Sequence, residues 1–161
     1  MILIVADTGP VNYLIQTGCI GLLARLVEKT VLPTSVHAEL LHHLAPELVR
    51  AWAAAPPAWV EIRAATQRIE AKDVSAADRE AIALAKELGA AILLMDDREA
   101  RRCAAALGVA TMGTVGILEV AAARGLVSLP VALERLRSTS CFLTEDLIEN
   151  ALARDAARRR T

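Results

Sequence analysis

The chain has 161 residues, 55% apolar and 2% aromatic, and this length supports one domain with a substantial core but not two ordinary domains. Its net charge of −1 gives no overall basic character that would indicate a nucleic-acid partner, and its apolar segments are too short to span a membrane. Three widely separated cysteines, Cys19, Cys103 and Cys141, lack the spacing of a zinc site, so we expect a cytoplasmic protein with free thiols.

Short apolar segments alternate along the chain with longer amphipathic ones. Residues 2–6 form an unbroken apolar run, which is typical of a strand that is buried on both faces of a sheet. Residues 60–64 predict either an edge strand or an extended connection. The strands that we expect lie at residues 2–6, 30–32, 60–64, 92–95 and 109–112.

Capping residues, prolines and glycines indicate where helices begin and end between these strands. Ser75 predicts the start of the clearest helix, which Gly89 ends, and either Thr34 or Ser35 is expected to cap another. The helices that we expect lie at about residues 8–16, 20–27, 34–44, 46–54, 75–88, 97–107, 114–124, 131–137 and 144–158. This alternation predicts an α/β fold with three layers, α/β/α, around a central parallel sheet of four to five strands.

The end of the chain is basic from about residue 154. Such tails are usually solvated and frayed, and that is the structure we expect for this one. Contact of the tail with RNA or with a partner protein is the alternative. We find no linker that divides the chain, so residues 1–161 are predicted to form a single domain.

Acidic residues stand where this fold would bring them together. Asp7 follows the first expected strand, the pair Asp96-Asp97 follows the fourth, and Glu39 and Asp78 lie early on two helices. The carboxyl ends of neighbouring parallel strands open onto one crevice, where ligands bind. Gathered carboxylates repel one another unless a cation holds them, and Mg²⁺ prefers such oxygen ligands. The sequence therefore predicts a metal site.

Each of the first three carboxylates has a simpler structural interpretation. Asp7 is placed to cap the following helix, although Thr8 could do so instead. Asp78 completes a capping-box pattern that starts at Ser75, but its helical spacing puts it nearer the core-facing side than Glu80, which we interpret as a surface charge. Glu39 lies at the border of its apolar stripe and could pair with His43 four residues on.

The Asp96-Asp97 pair and the arginines that follow it allow two interpretations. One of the two aspartates is expected to cap the next helix while the other faces the crevice, and the sequence does not decide which. Arg98, Arg101 and Arg102 share one helical face. Such a trio is usually a solvated surface, but beside a carboxylate site it could bind RNA phosphates, because arginine matches phosphate oxygens bidentately.

Five segments of the chain together resemble the PIN domain, the fold of VapC-like toxin ribonucleases. Their order and spacing are similar to those of bacterial and archaeal PIN proteins that are described as predicted nucleic-acid-binding proteins. The matching segments are VADTGPVNYLI at 5–15, VLPTSVHAEL at 31–40, SAADREAIALAKELGA at 75–90, ILLMDDREARRCAAALGV at 92–109 and GTVGIL at 113–118.

The resemblance implies a set of three or four carboxylates that holds Mg²⁺ or Mn²⁺. Carried over by motif, the first is Asp7, the second is Glu39 and the third is Asp78. The fourth falls in Asp96-Asp97, where the family's spacing favours Asp97 as the catalytic residue and leaves Asp96 beside it as a further metal ligand. Further polar residues that match the family's site are Thr8, Asn12 and Thr114.

The chain departs from the family pattern at two of these positions. Ala77-Asp78 stands where relatives commonly have glycine and glutamate, so the carboxylate is one methylene shorter. Met95 stands where many toxins of this fold have threonine or serine, which removes a hydroxyl next to the site.

The activity that the resemblance implies is hydrolysis of RNA phosphodiester bonds by a metal-activated water, with a 5′-phosphate and a 3′-hydroxyl as products. It also implies an antitoxin protein as partner, and a homodimer. A non-catalytic PIN-like module that binds RNA or protein is the alternative. A phosphohydrolase of the haloacid dehalogenase type would need a second aspartate where Gly9 stands. With one Phe, one Tyr and two Trp, we expect no exposed aromatic residues to stack on RNA bases.

Overall fold

Within residues 2–160, which a computed structural model describes, five short strands form one parallel sheet. They are β1 (Leu3–Ala6), β2 (Lys29–Pro33), β3 (Val60–Arg63), β4 (Ile92–Leu94) and β5 (Thr111–Met112). Their order across the sheet is β3-β2-β1-β4-β5. The chain therefore reverses its winding between β1 and β4, and the crevice at their carboxyl ends is where α/β folds bind ligands.

Helices connect the strands and continue after the last one. In this part of the chain they are α1 (Thr8–Gln16), α2 (Leu22–Leu26), α3 (Thr34–Leu40), α4 (Glu47–Ala54), α5 (Ala76–Leu88), α6 (Arg98–Ala106), α7 (Thr114–Ala123), α8 (Leu129–Arg137) and α9 (Glu145–Arg159). As the sequence predicts, Ser75 caps α5, and Gly89 ends it with a φ of 59° in the left-handed region. No helix among residues 2–160 is both long and apolar enough to cross a membrane.

The side chains of the central strands alternate between two cores. Ile4, Ala6 and Leu94 pack in the core that α1, α7 and α8 cover. Val5 and Leu93 pack in the opposite core, which α5 and α6 cover. The prediction of a three-layer α/β fold around a parallel sheet is therefore confirmed, and the central strands β1, β2 and β4 are buried on both faces as their apolar sequences require.

The helix expected at residues 34–44 is shorter and is capped differently than the sequence indicates. Pro33 stands at its N-cap position, and the hydroxyl of Thr34 donates a 2.8 Å hydrogen bond to Glu80 Oε1. The same oxygen accepts the backbone N–H of Ser35 at 3.3 Å. The helix ends at Leu40 because the next turn has little core to cover, and Leu44 is 80% exposed. Glu80 is thus a half-buried charge at the surface that also joins α5 to the start of α3, which the sequence did not indicate.

Replacing Glu80 with glutamine should lower the free energy of unfolding by about 1 kcal/mol, because a neutral amide is a weaker partner for a helix N-terminus. Urea unfolding measures the difference. Glu70→Gln, which changes an exposed carboxylate in the same way, is the matched control. Equal stabilities of the two variants would show that the bonds to Thr34 and Ser35 contribute nothing.

Two further segments differ from expectation. The strand expected at 109–112 is confined to Thr111–Met112, because the N–H of Val109 donates to Ala104 O at the end of α6 and so cannot join the sheet. The basic end is helical as far as Arg159 and is not frayed. Arg154 pairs with Glu119 of α7 at 2.8 Å, which holds α9 against the domain.

Candidate active site

Asp7 lies at the carboxyl end of β1, and its backbone N–H donates to Leu94 O of β4 at 2.9 Å. Its side chain is 5% exposed and does not cap α1, although it stands at the N-cap position. One carboxylate oxygen, Oδ1, is buried without a hydrogen-bond partner among the described residues. A buried acceptor in this state is costly, which makes it suited to a bound cation.

The carboxyl of Asp78 lies against that of Asp7. The pKa of Asp7 rises from 3.8 to about 8, first because the side chain is buried and then because Asp78 shares a hydrogen bond with it and repels its charge. The Asp78 backbone N–H is bonded to Ser75 Oγ at 3.1 Å, so this aspartate completes the start of α5 while its side chain reaches Asp7. Ser75 therefore caps α5 at the backbone of Asp78, while the Asp78 carboxyl interacts with Asp7.

Glu39 belongs to the same group but lies at its exposed side. Its charge is a smaller contributor to the raised pKa of Asp7. The hydroxyl of Thr8 donates a short hydrogen bond to Glu39 Oε2, which joins the start of α1 to α3. The alternative partner, His43, stacks instead on His42 with ring centroids 4.3 Å apart.

Asp96 is held by a different set of contacts. Its Oδ1 accepts the backbone N–H of Thr114 at 2.7 Å, and its Oδ2 accepts the Thr114 hydroxyl at 2.6 Å. Gly113 is required beside it, because a Cβ there would lie 2.9 Å from Asp96 Oδ1 and 3.1 Å from Arg101 Nη1. Asp97 instead caps α6, since its Oδ2 accepts the Ala100 N–H at 2.9 Å. The structure thus shows Asp96 facing the crevice and Asp97 capping the helix.

The carboxylates therefore form two groups, and strand geometry explains the division. Side chains two residues apart in a strand point to the same face. Asp7 follows Val5 onto the α5 side, where Asp78 lies, whereas Asp96 follows Leu94 onto the α7 side, where Thr114 lies. In residues 2–160, no three His, Cys, Asp or Glu side chains stand as a ready metal cluster. The site is a buried carboxyl, that of Asp7, beside the half-buried carboxyl of Asp78, with a third and a fourth carboxyl at its edges.

The other predicted site residues have more ordinary surroundings. Asn12 accepts a 2.9 Å hydrogen bond from Gln16 Nε2, one turn along α1. Arg102 pairs with Glu99 on the surface at 3.2 Å, and Arg98 is exposed. Met95, which stands where many toxins of this fold have a hydroxyl, is fully buried in the core under α5 and α6.

Sequence reasoning missed a cleft of about 620 Å³ beside Asp96. Its lining includes the half-buried Arg101 and the loop between α8 and α9, where Phe142 is 87% exposed. The expectation that no exposed aromatic residue is available for stacking is therefore wrong. The number of aromatic residues does not reveal this, because the exposure of Phe142 depends on the path of residues 138–144 between α8 and α9.

Thr114→Val should lower any activity of this site about tenfold, because groups that orient a catalytic carboxylate typically contribute 10- to 100-fold. Valine keeps the volume of this buried side chain but removes the hydroxyl that donates to Asp96. Steady-state rates measure the effect. Thr17→Val, which removes a buried hydroxyl bonded to Leu14 O at the far end of α1, is the control. An unchanged rate in Thr114→Val would remove Asp96 from the working site.

Comparison with known proteins adds family information to this geometry. A family model described as DUF3368: PIN domain matches residues 3–156. Among solved structures, the chain is similar to a PilT N-terminus domain protein from the archaeon Sulfolobus solfataricus, with 17% identity and a TM-score of 0.49 over 89% of this chain and 98% of that chain. A search of curated proteins finds no match. The family match includes all five strands and both groups of carboxylates.

Proposed function

This chain belongs to the PIN-domain family, and from that membership and its strand-end carboxylates we propose that it is a metal-dependent endoribonuclease. PIN domains in general are nucleases and typically use divalent metal ions. The resemblance in the sequence is confirmed at the level of the family. We propose in addition that the substrate is RNA and that Mg²⁺ or Mn²⁺ binds at this site.

The observation that carries the proposal is the state of Asp7. A buried carboxyl with an unpartnered oxygen, a neighbouring acid and a pKa near 8 is held in an unfavourable environment by the fold. Such perturbed groups are concentrated at functional sites. A hard cation would satisfy the free oxygen and offset the repulsion from Asp78, which is the fit that an Asp-rich oxygen donor set offers.

The residues of the chain have distinct parts in this reaction. Asp7 and Asp78 would hold the cation, Glu39 would accept a proton at its exposed edge, and Thr8 orients Glu39. When bound, a divalent cation supplies positive charge that lowers the pKa of a water and stabilises the phosphate oxygens. Arg101 is placed to bind a substrate phosphate on the Asp96 side.

The biological setting that we propose is a toxin–antitoxin pair. In it this chain, as a homodimer, would be the ribonuclease and a partner protein would cover the crevice. Family membership is the support for this role.

A second function is favoured by the division between the two carboxylate groups. Asp96 is bonded to Thr114 on the α7 side, and it is not among the groups that shift the pKa of Asp7. A domain that keeps this arrangement would bind RNA or a protein at the crevice without cleaving it. Binding of RNA with no cleavage at any Mg²⁺ or Mn²⁺ concentration would support this function over the first.

Cleavage of a fluorescently labelled single-stranded RNA by the purified protein tests the proposal. We expect cleavage with Mn²⁺ or Mg²⁺, none with EDTA, and product ends that carry a 5′-phosphate. Asp78→Asn should reduce the rate at least about tenfold, since it removes a charge from the cation site. Asp146→Asn, at an exposed position on α9, should leave the rate unchanged.

A further inference from the structure

The cleft beside Asp96 has two aromatic residues in its lining. Its lining contains Phe142 and Tyr13, which are the one phenylalanine and the one tyrosine of the chain. The two tryptophans, Trp52 and Trp59, instead face each other against the main core, with ring centroids 6.4 Å apart. Tyr13 also packs against the main core, so Phe142, which is 87% exposed, is the ring of the cleft that a ligand can stack on.

The surface around Phe142 continues the apolar character of its ring. Leu147 on α9 is 40% exposed, and Leu143 and Met112 are half-buried in the same lining. A single exposed apolar side chain is common, but several around one opening indicate a contact surface. At about 620 Å³, the cleft is within the size range of small-ligand sites and is large enough for one nucleotide.

Arg101 gives the cleft one cationic group for an anionic ligand, and the three carboxylates of the lining already have hydrogen-bond partners. Asp96 and Asp97 accept the backbone N–H groups that open α7 and α6, and Glu119 is paired with Arg154. Arg101 is the one cation of the lining among the described residues, and no carboxylate in that part of the chain pairs with it. The lining thus offers an aromatic face and a guanidinium beside the crevice, which match the base and the phosphate of one nucleotide.

We propose that Phe142 stacks on an unpaired nucleobase of the RNA while Arg101 binds a phosphate of the same strand. This inference rests on the proposed function, because it names the part of the substrate that the site recognises. Base–aromatic stacking needs a base that is not inside a helix, so the cleft selects single-stranded or looped RNA. An apolar side chain from a peptide or from a second copy would cover Phe142 but leave Arg101 without an anion, which is why we favour RNA.

Affinity and steady-state kinetics with short single-stranded RNAs test the stacking. Phe142→Leu keeps an apolar side chain but removes the ring, and we expect a KM and a metal-free dissociation constant about tenfold higher, with kcat within about threefold. Phe142→Tyr should remain within about twofold of the unchanged protein. Leu48→Ala, at a similarly exposed apolar position on α4, is the control and should have no effect.

A set of RNAs that each lack one base identifies the stacked nucleotide. Removing the correct base should weaken binding to the unchanged protein about tenfold and binding to Phe142→Leu much less, because the two changes remove the same contact. Equal loss in both proteins would overturn the inference. Metal-free binding by fluorescence anisotropy gives this result even if the chain cleaves nothing, so failure of the nuclease proposal and failure of the stacking are distinguishable.

Two other results would also overturn it. If Phe142→Leu leaves RNA affinity unchanged but converts a dimer to a monomer in sedimentation, the cleft is a contact between copies of the chain. If the variant leaves RNA affinity unchanged and the mass of the protein is also unchanged, the ring has no part in RNA binding.

Discussion

Replacing Asp7 with asparagine is expected to reduce metal-dependent RNA cleavage at least about 100-fold, because loss of a direct ligand exceeds the 10- to 100-fold effect of outer groups. The same change should make the metal-free protein more stable at pH 8. The amide removes a buried negative charge that Asp78 and Glu39 repel. Cleavage assays measure the expected loss of rate, and thermal unfolding in EDTA measures the expected gain in stability.

The metal response separates this result from simple misfolding. Mn²⁺ should raise the melting temperature of the unchanged protein and have no effect on Asp7→Asn, since a ligand that binds only the folded state stabilises it by mass action. Asp155→Asn is a useful comparison, because Asp155 is a buried aspartate that pairs with Arg159 at 3.1 Å, away from the crevice. Full activity in Asp7→Asn would exclude the site that we propose.

The stability of the metal-free protein is expected to fall as pH rises from about 4 to about 8, relative to Asp7→Asn. The pKa of Asp7 is about 8 in the folded protein and 3.8 in the unfolded chain. Between these two pH values, the folded state therefore binds more protons than the unfolded state. The contribution of Asp7 to stability is therefore complete below pH 3.8 and lost as pH rises through 8. The loss is on the order of a few kcal/mol.

Urea unfolding in EDTA at several pH values measures this effect as the difference between the two proteins. Because other groups titrate in both proteins, their contribution cancels in this difference in stability. Glu61, whose pKa is lowered by Arg63, is one such group. Saturating Mn²⁺ should reduce the slope, because a cation favours the ionised carboxylate. A difference that does not vary with pH would show that Asp7 is not held as a neutral acid.

Much of the fold follows from local sequence. The apolar runs before Asp7 and Asp96 indicate buried strands, and Ser75 with Gly89 marks the bounds of α5. Positions that depend on distant partners could not be predicted in this way. The start of α3 and the role of Glu80 depend on a contact between segments 45 residues apart, which no local pattern contains.

The candidate site was predictable as a set of residues but not as an arrangement. The sequence places four carboxylates at strand ends and helix starts, and the structure brings Asp7 and Asp78 together with Glu39 near them. It could not decide between Asp96 and Asp97, because both follow the same strand. The decision depends on Thr114, whose N–H and hydroxyl bind one aspartate while the other caps α6.

The alternation of side chains at the ends of β1 and β4 has a consequence for the spacing within this site. Asp7 and Asp78 depend on the core beneath α5 and α6, whereas Asp96 and Thr114 depend on the core beneath α1 and α7. The spacing between the two halves of the crevice, and with it the distance between a bound cation and a bound strand, therefore depends on the packing of both cores.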